Sequence, residues 1–162
     1  MENELNPKFY PVEESDILVM SFLMQNGDVA ECMASGFKTP YEALVRSVER
    51  SNRSWAVYSE DGLLLALFGL VGAESKWAMP WMTITTVMSD CYPLTLLRTT
   101  REIVSGWAED WALYNWVHVD NARSKALLEV LGFTLEEPAP MPGGVPSEMF
   151  HLFWMGEKPC VS

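Results

Sequence analysis

The residues best suited to chemistry in the middle of the chain are His118 and its polar neighbours. His118 closes an apolar run, and an imidazole that titrates at about pH 6.5 suits general-base catalysis. A triad with Ser89 and Asp120 can be drawn, but Ser89 lacks the glycine-flanked turn that exposes a nucleophilic serine. We therefore set the triad aside and keep two interpretations of His118, a general base and a hydrogen-bonded strand residue. His151, in a later apolar run, is expected to be structural.

The composition argues against several classes of function. The chain has 162 residues, 22 acidic and 11 basic, and its net charge of -11 argues against binding to nucleic acid. Three cysteines and two histidines without paired spacing predict neither a disulfide framework nor a metal site, and favour a reducing cytoplasm. The N-terminal segment does not resemble a signal peptide, and Leu63–Gly72 is too short to span a membrane. We expect one domain over 1–162, loose at 1–8 and 156–162.

The segment from Tyr114 to Phe133 predicts a strand, a cap, a helix and a glycine stop. Aromatic and β-branched residues up to Val119 favour the strand, and Asn121 offers a side-chain oxygen where the helix begins. Gly132 stands where a helix ends in the left-handed conformation. The predicted buried face of this helix, at helical spacing, is Ala122, Ala126, Leu127, Val130 and Leu131.

The other segments predict a sheet with helices before and within it. The segment 63–70 is apolar on both faces and is expected to be a central strand, entered through a type I′ turn at 60–62. A capping box is expected at residues 39–42. Predicted strands are 9–12, 54–59, 63–70, 81–87, 114–119, a segment from 133 and 149–155; predicted helices are 17–23, 40–50, 93–111 and 122–131. Residues 26–28 are expected to break the chain after the first helix, and 29–35 to add a helical turn or two that the order of elements below does not count. The order β–α–α–β–β–β–α–β–α–β–β indicates an α/β (α+β) domain with a mixed, mostly antiparallel sheet.

That order, together with the helix sequence NARSKALLEVLGF, resembles the GNAT superfamily of acetyl-CoA-dependent N-acetyltransferases. The family commonly has Asn, then Ala, then Leu-Tyr-Glu-x-x-Gly-Phe, and the matching positions here are Asn121, Ala126, Leu127, Glu129, Gly132 and Phe133. The segments MASGFKTPYEALVRSVERS and LALFGL, with Pro80-Trp81, are more narrowly similar to small GNAT-like proteins of tailed phages. The resemblance implies the GNAT fold and transfer of an acetyl group from acetyl-CoA to an amine.

The resemblance also implies where acetyl-CoA would lie. Its pantetheine arm would enter a splay between the strands 81–87 and 114–119. Backbone groups near Val87 and Met88 would position the thioester. Asn121 would contact the pantetheine arm, although a helix cap explains this asparagine equally well.

Acid–base groups and phosphate ligands are implied in the same way. Glu74 or His118 would be the base that takes a proton from the amine. Basic residues that an exposed helix face also explains would hold the phosphates; they are Arg98, Arg101, Arg123 and Lys125. No metal ligand is expected.

Two positions depart from the family pattern. The family's Gln/Arg-x-x-Gly-x-Gly/Ala loop corresponds to 88–94, which contains no glycine and carries Asp90 and Pro93. The family tyrosine that protonates the leaving thiolate corresponds to Leu128. Other proton donors are water and the side chains of Tyr92, Tyr114 and Cys91, which packing also explains.

These departures leave a second function open. Some phage relatives are virion or host-takeover proteins without established catalysis, and this chain would then bind a host protein in the host cytoplasm. The segment Trp77–Trp81 is expected to be a loop that exposes an aromatic patch for such binding. Aromatic residues in the last strand would permit a homodimer.

Overall fold

The computed structural model describes residues 5–161, which contain six helices and eight strands. Residues 1–4, part of the N-terminal segment expected to be loose, and Ser162 lie outside the described residues. The helices are α1 (Glu14–Leu23), α2 (Asn26–Ala34), α3 (Pro40–Arg50), α4 (Thr86–Cys91), α5 (Pro93–Asp110) and α6 (Ala122–Leu131). The strands are β1 (Lys8–Pro11), β2 (Ser51–Tyr58), β3 (Leu64–Val71), β4 (Trp77–Ile84), β5 (Ala112–His118), β6 (Thr134–Leu135), β7 (Ala139–Pro140) and β8 (Met149–Met155).

All eight strands belong to one sheet, ordered β1-β2-β3-β4-β5-β8-β6 with β7 also paired to β8. Neighbouring strands are antiparallel, except that β4 and β5 are parallel. β3 is central, and its residues Leu64–Leu70 are all buried. The predicted α/β domain with a mixed, mostly antiparallel sheet is confirmed, and β8 has the predicted bounds.

β4 and β5 diverge soon after they begin. Only two residue pairs join them, Trp77–Ala112 and Ala78–Leu113. Beyond these pairs the Asn115 side-chain amide donates to the Pro80 carbonyl oxygen at 2.9 Å, in place of a backbone hydrogen bond. The strands therefore stand apart at their C-terminal ends, Ile84 and His118, as the predicted splay requires.

Helices cover both faces of the sheet, because successive residues of the central strand point to opposite faces. Leu67 of β3 packs with Met20 of α1 and Leu44 of α3. The next residue, Phe68, belongs to a second cluster with Met88 of α4 and side chains of α5. A third cluster joins β5, β8 and α6. In the described part of the chain, no helix combines the length and the apolar character needed to cross a membrane.

Local capping signals placed α3 and the end of α6 correctly. α3 has the predicted bounds, and the Thr39 hydroxyl oxygen accepts the Glu42 backbone N–H at 3.1 Å. The Glu42 carboxylate accepts from the N–H of Lys38 rather than Thr39, so the predicted capping box is shifted by one residue. Gly132 ends α6 with φ 98°, in the left-handed region.

The strand predicted at 81–87 is wrong at both ends. β4 occupies Trp77–Ile84, after which the Thr85 hydroxyl oxygen accepts the Met88 backbone N–H at 3.2 Å and caps α4. Val87 and Met88 therefore lie in the first turn of a helix. The β-branched run favoured a strand by propensity, but the threonine cap ends the strand earlier.

Two segments expected to be loops are regular elements. The glycine-free segment 88–94 is helical through Cys91. The aromatic segment Trp77–Trp81 forms part of β4 and is not an exposed loop. The Trp81 indole N–H donates to the Ser51 hydroxyl oxygen at 2.7 Å, which holds the ring against the neighbouring strands.

The turn into β3 and the start of α2 also differ from expectation. A type I′ turn needs a positive φ at both central residues. Among the described residues only glycines have a positive φ, so Gly62 meets this condition and Asp61 does not, and the predicted type I′ turn is wrong. α2 is a helix of nine residues that begins at Asn26, three residues before the helical turn or two predicted at 29–35. Asp28, expected within a break, lies in its first turn.

The buried faces of α5 and α6 agree only in part with the sequence, which favours a face with Leu94, Val104 and Trp107 in α5: Val104 and Trp107 pack inward, as do Leu127 and Leu131 of α6. The buried residues of α5 are Thr95, Thr99 and Thr100, whereas Leu94 is 67% exposed. The Thr100 hydroxyl donates to the Leu96 carbonyl oxygen, so threonine can be buried there without an unpaired polar group. In α6, Ala126 and Val130 are exposed, and Leu128 packs inward.

The C-terminal segment expected to be loose makes several contacts. The Trp77 indole N–H donates to the Glu157 carbonyl oxygen at 3.2 Å, and the Glu157 carboxylate pairs with Lys76. Lys158 forms an ion pair with Glu136 at 2.8 Å. These contacts tie the segment after β8 to the start of β4 and to the residue that follows β6.

The close contact between Trp81 and Gly69 gives a test of the sheet. A Cβ at position 69 would lie 2.6 Å from Trp81 Nε1 and 2.8 Å from the Arg53 carbonyl oxygen. We predict that Gly69→Ala lowers the free energy of unfolding by about 2 kcal/mol, measured by urea denaturation, because the strand or the indole must move. Gly106→Ala in α5 is the control: no atom lies within 4 Å, and the variant should gain up to about 1 kcal/mol. Equal changes in both would contradict this packing.

Candidate active site

The divergence of β4 and β5 opens a cleft between the two strands and beneath α5 and α6. Its volume is about 160 Å³. The surrounding residues include Pro80, Trp81 and Met82 of β4, Asn115, Trp116 and Val117 of β5, Thr100, Ile103, Val104 and Trp107 of α5, and Ser124, Leu127, Leu128 and Leu131 of α6. Glu31 of α2 is the one charged side chain among the described residues that line it. The cleft is therefore apolar with a single carboxyl group.

An outer cavity of about 300 Å³ continues this cleft towards α4. The two cavities share Met82, Ser124 and Leu127, and we call them together the groove. The outer cavity adds Ser89 of α4 and Arg123 of α6, which we call the mouth. Along α6 the lining changes from Arg123 at the mouth to Leu131 at depth. Both parts of the groove are lined mainly by apolar side chains, and the basic residue of the lining, Arg123, lies at the mouth.

Two carboxylates of α2 occupy the gap between the strand ends. The Ile84 backbone N–H donates to Asp28 Oδ2 at 3.2 Å, and the His118 backbone N–H donates to Glu31 Oε1 at 2.6 Å. Asp28 also accepts from the Gln25 amide and the Thr83 hydroxyl, each at 3.2 Å. Because Asp28 and Glu31 are three residues apart, they lie on one side of the helix and face the two strands together.

Burial changes the protonation of both carboxyl groups. Loss of water raises the pKa of Glu31 from its usual 4.5 to about 7, and the nearby charge of Asp28 adds to the rise. Hydrogen bonds from His118 and Asn121 to the carboxylate act in the opposite direction. Burial likewise raises the pKa of Asp28. Glu31 therefore exchanges a proton near neutral pH, as a general base must.

Asn121 links α6 to this carboxylate pair. Its Oδ1 accepts the Ser124 backbone N–H at 3.5 Å as the cap of α6, and its Nδ2 donates to Asp28 Oδ1 at 3.4 Å. A Cβ at Gly27 would lie 2.7 Å from Asn121 Oδ1, so α2 approaches this side chain as closely as it does only because residue 27 is glycine. The structure shows the predicted cap, and it adds the contact with Asp28.

His118 is buried at the end of β5, and both of its ring nitrogens have partners. Nδ1 accepts the Asp120 backbone N–H at 3.2 Å, which leaves the proton on Nε2 to bond Glu148 Oε2 at 2.7 Å. Ser89 Oγ bonds Thr86, Asp90 and Arg123 instead of His118. The Ser89–His118–Asp120 triad is therefore not assembled.

The predicted phosphate ligands fall into two groups. Arg123 lies at the mouth, where its Nη1 donates to Ser89 Oγ at 2.8 Å and to Asp90 Oδ1 at 2.9 Å. Lys125 Nζ donates to the Val119 carbonyl oxygen at 3.1 Å, next to the start of α6. Arg123 lines the groove, whereas Lys125 does not.

The other predicted site residues lie elsewhere. The Arg98 guanidinium donates to the Leu5 carbonyl oxygen at 3.3 Å, so it faces the N-terminal segment, and Arg101 is exposed on α5. Glu74 accepts from the Asn52 amide at 3.4 Å in the loop before β4, at the end where the strands are still paired. The groove lining includes none of Glu74, Arg98 and Arg101.

Asp28 and Glu31 are functional candidates that sequence reasoning missed. Asp28 was assigned to a break and Glu31 to an unremarkable helical turn. The available signal was their spacing of three residues, which puts two acids on one helix face beside Gly27. Solvent-exposed helices carry the same spacing, so only the packing of α2 against the strand ends reveals them.

Leu128 stands at the position of the family tyrosine and lines the cleft. Its side chain packs in the cluster of β5, β8 and α6. A leucine supplies no proton, and it makes this wall of the cleft apolar. Leu128 thus faces the cleft, where the sequence analysis expected no proton donor at this position.

The raised pKa of Glu31 links stability to pH. Between pH 4.5 and about 7 the folded protein binds a proton that the unfolded chain has released, so the free energy of unfolding falls as pH rises through that window. The free energy of unfolding of the wild type falls between pH 4.5 and pH 8. We predict that in Glu31→Gln this fall is smaller by about 3 kcal/mol, measured by urea denaturation. Glu49→Gln, on the exposed face of α3, should leave the pH dependence unchanged. Identical profiles for wild type and Glu31→Gln would contradict the burial of this carboxyl group.

Comparison with known proteins identifies the fold. No family model and no curated protein matches the sequence. Spermidine N-acetyltransferase from Vibrio cholerae, solved with CoA and spermine, is 16% identical with a TM-score of 0.65, over 92% of this chain and 94% of that one. A putative acetyltransferase from Acinetobacter baylyi ADP1 is 15% identical with a TM-score of 0.64, over 94% and 93%. The chain therefore has the fold of the GNAT acetyltransferases.

Proposed function

We propose that the protein is an acetyl-CoA-dependent N-acetyltransferase in which Glu31 is the general base. The observation that carries this proposal is the apolar groove between β4 and β5 with a carboxyl group of pKa about 7 on its wall. An amine must lose a proton to become acylated, and a base that titrates near neutral pH suits that step. The fold shared with a spermidine N-acetyltransferase that was solved with CoA supports the same proposal.

The groove fits the pantetheine arm better than the diphosphate of acetyl-CoA. Its walls are mainly apolar, as the aliphatic part of a pantetheine chain requires. At the mouth the Arg123 guanidinium and the Ser89 hydroxyl are suited to a phosphate, whereas the Asp90 carboxylate would repel one. A diphosphate would therefore have to displace Asp90 from Arg123.

Acetyl-CoA supplies the thioester carbonyl for the reaction. The Met82 backbone N–H points towards the parted strands, because Pro80 and Ile84 bond on that side and backbone groups alternate along a strand. It would donate to the thioester oxygen as negative charge develops there. Glu31 would take the amine proton as the C–N bond forms. The C–S bond then breaks, and solvent protonates the thiolate because Leu128 cannot.

Charge favours a cationic amine as the acceptor. The chain carries 22 acidic and 11 basic residues, and the two carboxylates of α2 lie beside the groove. A negative surface raises the local concentration of cations and their rate of encounter. Spermine, the amine in the Vibrio cholerae complex, belongs to this chemical class.

Among the residues expected from the sequence, Asn121, Arg123 and Lys125 remain the proposed contacts of acetyl-CoA, since all three lie at the start of α6. The thioester contact expected of Val87 and Met88 passes to Met82, because the Met88 N–H is bonded to Thr85. The roles expected of His118, Glu74, Arg98 and Arg101 gain no support from their positions.

The experiment for this proposal combines acetyl-CoA titration calorimetry with transfer to a panel of amines. We predict binding in the micromolar to millimolar range and a rate that rises with pH through about 7, as Glu31 loses its proton. Glu31→Gln should bind acetyl-CoA normally and lower kcat by about 100-fold or more. Glu49→Gln is the charge-matched control. Absence of binding at millimolar acetyl-CoA would overturn the proposal.

The mouth allows a separate test of acetyl-CoA binding. We predict that Arg123→Ala weakens acetyl-CoA binding about tenfold, the loss of one charged hydrogen bond to a phosphate. Arg98→Ala is the matched control, because Arg98 faces the N-terminal segment and should bind as wild type does. Equal affinities in both variants would place the phosphates elsewhere.

A second candidate is that the chain is a phage-encoded protein that binds a host protein in the host cytoplasm, or a virion component. The specific observation in its favour is the apolar outer face of α1. Phe22 is 81% exposed, and its neighbours on this helix are Leu18, Val19 and Leu23, each between 43% and 52% exposed.

We predict that Phe22→Glu abolishes any stoichiometric partner or homodimer seen by analytical ultracentrifugation of purified complexes. Leu94→Glu, at an exposed leucine of α5, is the control, and retention of the partner by Phe22→Glu would exclude this face.

A further inference from the structure

One part of the cleft is lined by apolar side chains alone. We call it the inner chamber and define it by Phe68, Ile103, Val104, Trp107, Leu131 and Phe153. None of these residues lines the outer cavity. None carries a charge or a group able to react. The chamber therefore has no role in acid–base chemistry, and its only visible property is apolar volume.

Aromatic pairs make the walls of the chamber. The Phe68 and Trp107 rings lie 5.9 Å apart between centroids. Phe153 stands edge-on to Phe133 at 5.1 Å. Rings in such contacts have few alternative positions in a packed interior, so the walls do not collapse easily into the space between them.

The volume indicates what the space can hold. An engineered apolar cavity of about 150 Å³ in another protein stays dry and binds benzene, a ligand of six carbons. The whole cleft, of which the chamber is one part, measures about 160 Å³, and the chamber has the same kind of lining as that cavity. Water gains few hydrogen bonds against such a lining, whereas an apolar group gains contacts with it.

The chamber lies beyond the atoms proposed to react. Glu31 and Met82 line the same cleft, and Met82 is also shared with the outer cavity. A chain that enters at the mouth passes Met82 before it reaches Trp107 and Leu131. Its thioester can then lie between Met82 and Glu31 while the carbons attached to the carbonyl extend into the chamber.

We infer that the inner chamber binds the acyl group of the donor, and that the preferred donor is a CoA thioester with an apolar acyl chain longer than acetyl and of no more than about six carbons. This inference rests on the proposed function. The reaction is unchanged in its balance: the amine nitrogen forms a bond to the acyl carbon, the C–S bond breaks, and the amine proton leaves through Glu31. The longer acyl group differs from acetyl only in the apolar surface that it buries.

The experiment compares acetyl-, butyryl-, hexanoyl- and decanoyl-CoA as donors to one amine. Each buried CH₂ is worth a factor of about four in binding, so kcat/KM should rise by about tenfold or more from acetyl to hexanoyl and fall again for decanoyl. A profile that is highest for acetyl, or flat across the series, overturns the inference and leaves the proposed function intact.

Two variants change the chamber in opposite directions. Val104→Phe fills it and should lower the hexanoyl-to-acetyl ratio of kcat/KM by about tenfold. Leu131→Ala enlarges it and should move the preferred chain about two carbons longer. Val130→Phe is the control, since Val130 is 57% exposed on the outer face of α6 and its variant should keep the wild-type profile. Parallel losses for all donors in both variants would assign these residues to folding alone and overturn the inference.

A binding measurement separates this inference from the proposed function. Benzene and 1-hexanol, added to the protein without any CoA compound, should raise its melting temperature, and Val104→Phe should abolish the rise. If no donor is transferred but these probes bind in this pattern, the acyltransferase proposal fails while the apolar site stands. If the probes do not bind the wild type, the chamber is not a ligand site.

Discussion

Two carboxylates on one turn of α2 replace the hydrogen bonds that the sheet loses where β4 and β5 separate. The backbone N–H of Ile84 ends β4 and donates to Asp28, and that of His118 ends β5 and donates to Glu31. Ile84 and His118 are both buried, and a buried N–H without an acceptor costs about 1–3 kcal/mol. The divergence of the strands, and with it the groove, depends on this replacement.

The same replacement gives the groove its chemistry. A carboxylate that accepts a backbone N–H inside the molecule has lost most of its water, which raises the pKa of Glu31. Asp28, placed one turn earlier for the same structural reason, adds a like charge. Asn121 bonds Asp28 while it caps α6, so the groove wall and the carboxylate pair are held by one side chain. The contacts that keep the strands apart therefore also supply the proton acceptor.

Local signals in the sequence predict the elements whose ends are marked by one residue type, such as α3 at Thr39 and α6 at Gly132. They fail at α4, where a threonine cap competes with a β-branched run. The candidate base was missed for a different reason. Asp28 and Glu31 have the spacing of ordinary surface acids, and their burial results from contacts between α2 and strands more than fifty residues away in sequence. Leu128 was identified as a departure from the family motif, but its place in the cleft wall is a tertiary property.

Arg123 is paired with Asp90 at the mouth of the groove, so an approaching solute meets no net charge from this pair. A chain of net charge -11 then presents a negative potential to solutes that approach within a Debye length, about 8 Å at physiological ionic strength. For the proposed reaction this field slows the arrival of a polyanionic thioester and speeds that of a cationic amine. Salt reduces both effects. Ionic strength would therefore shift the order in which the two substrates bind, without any change in the groove itself.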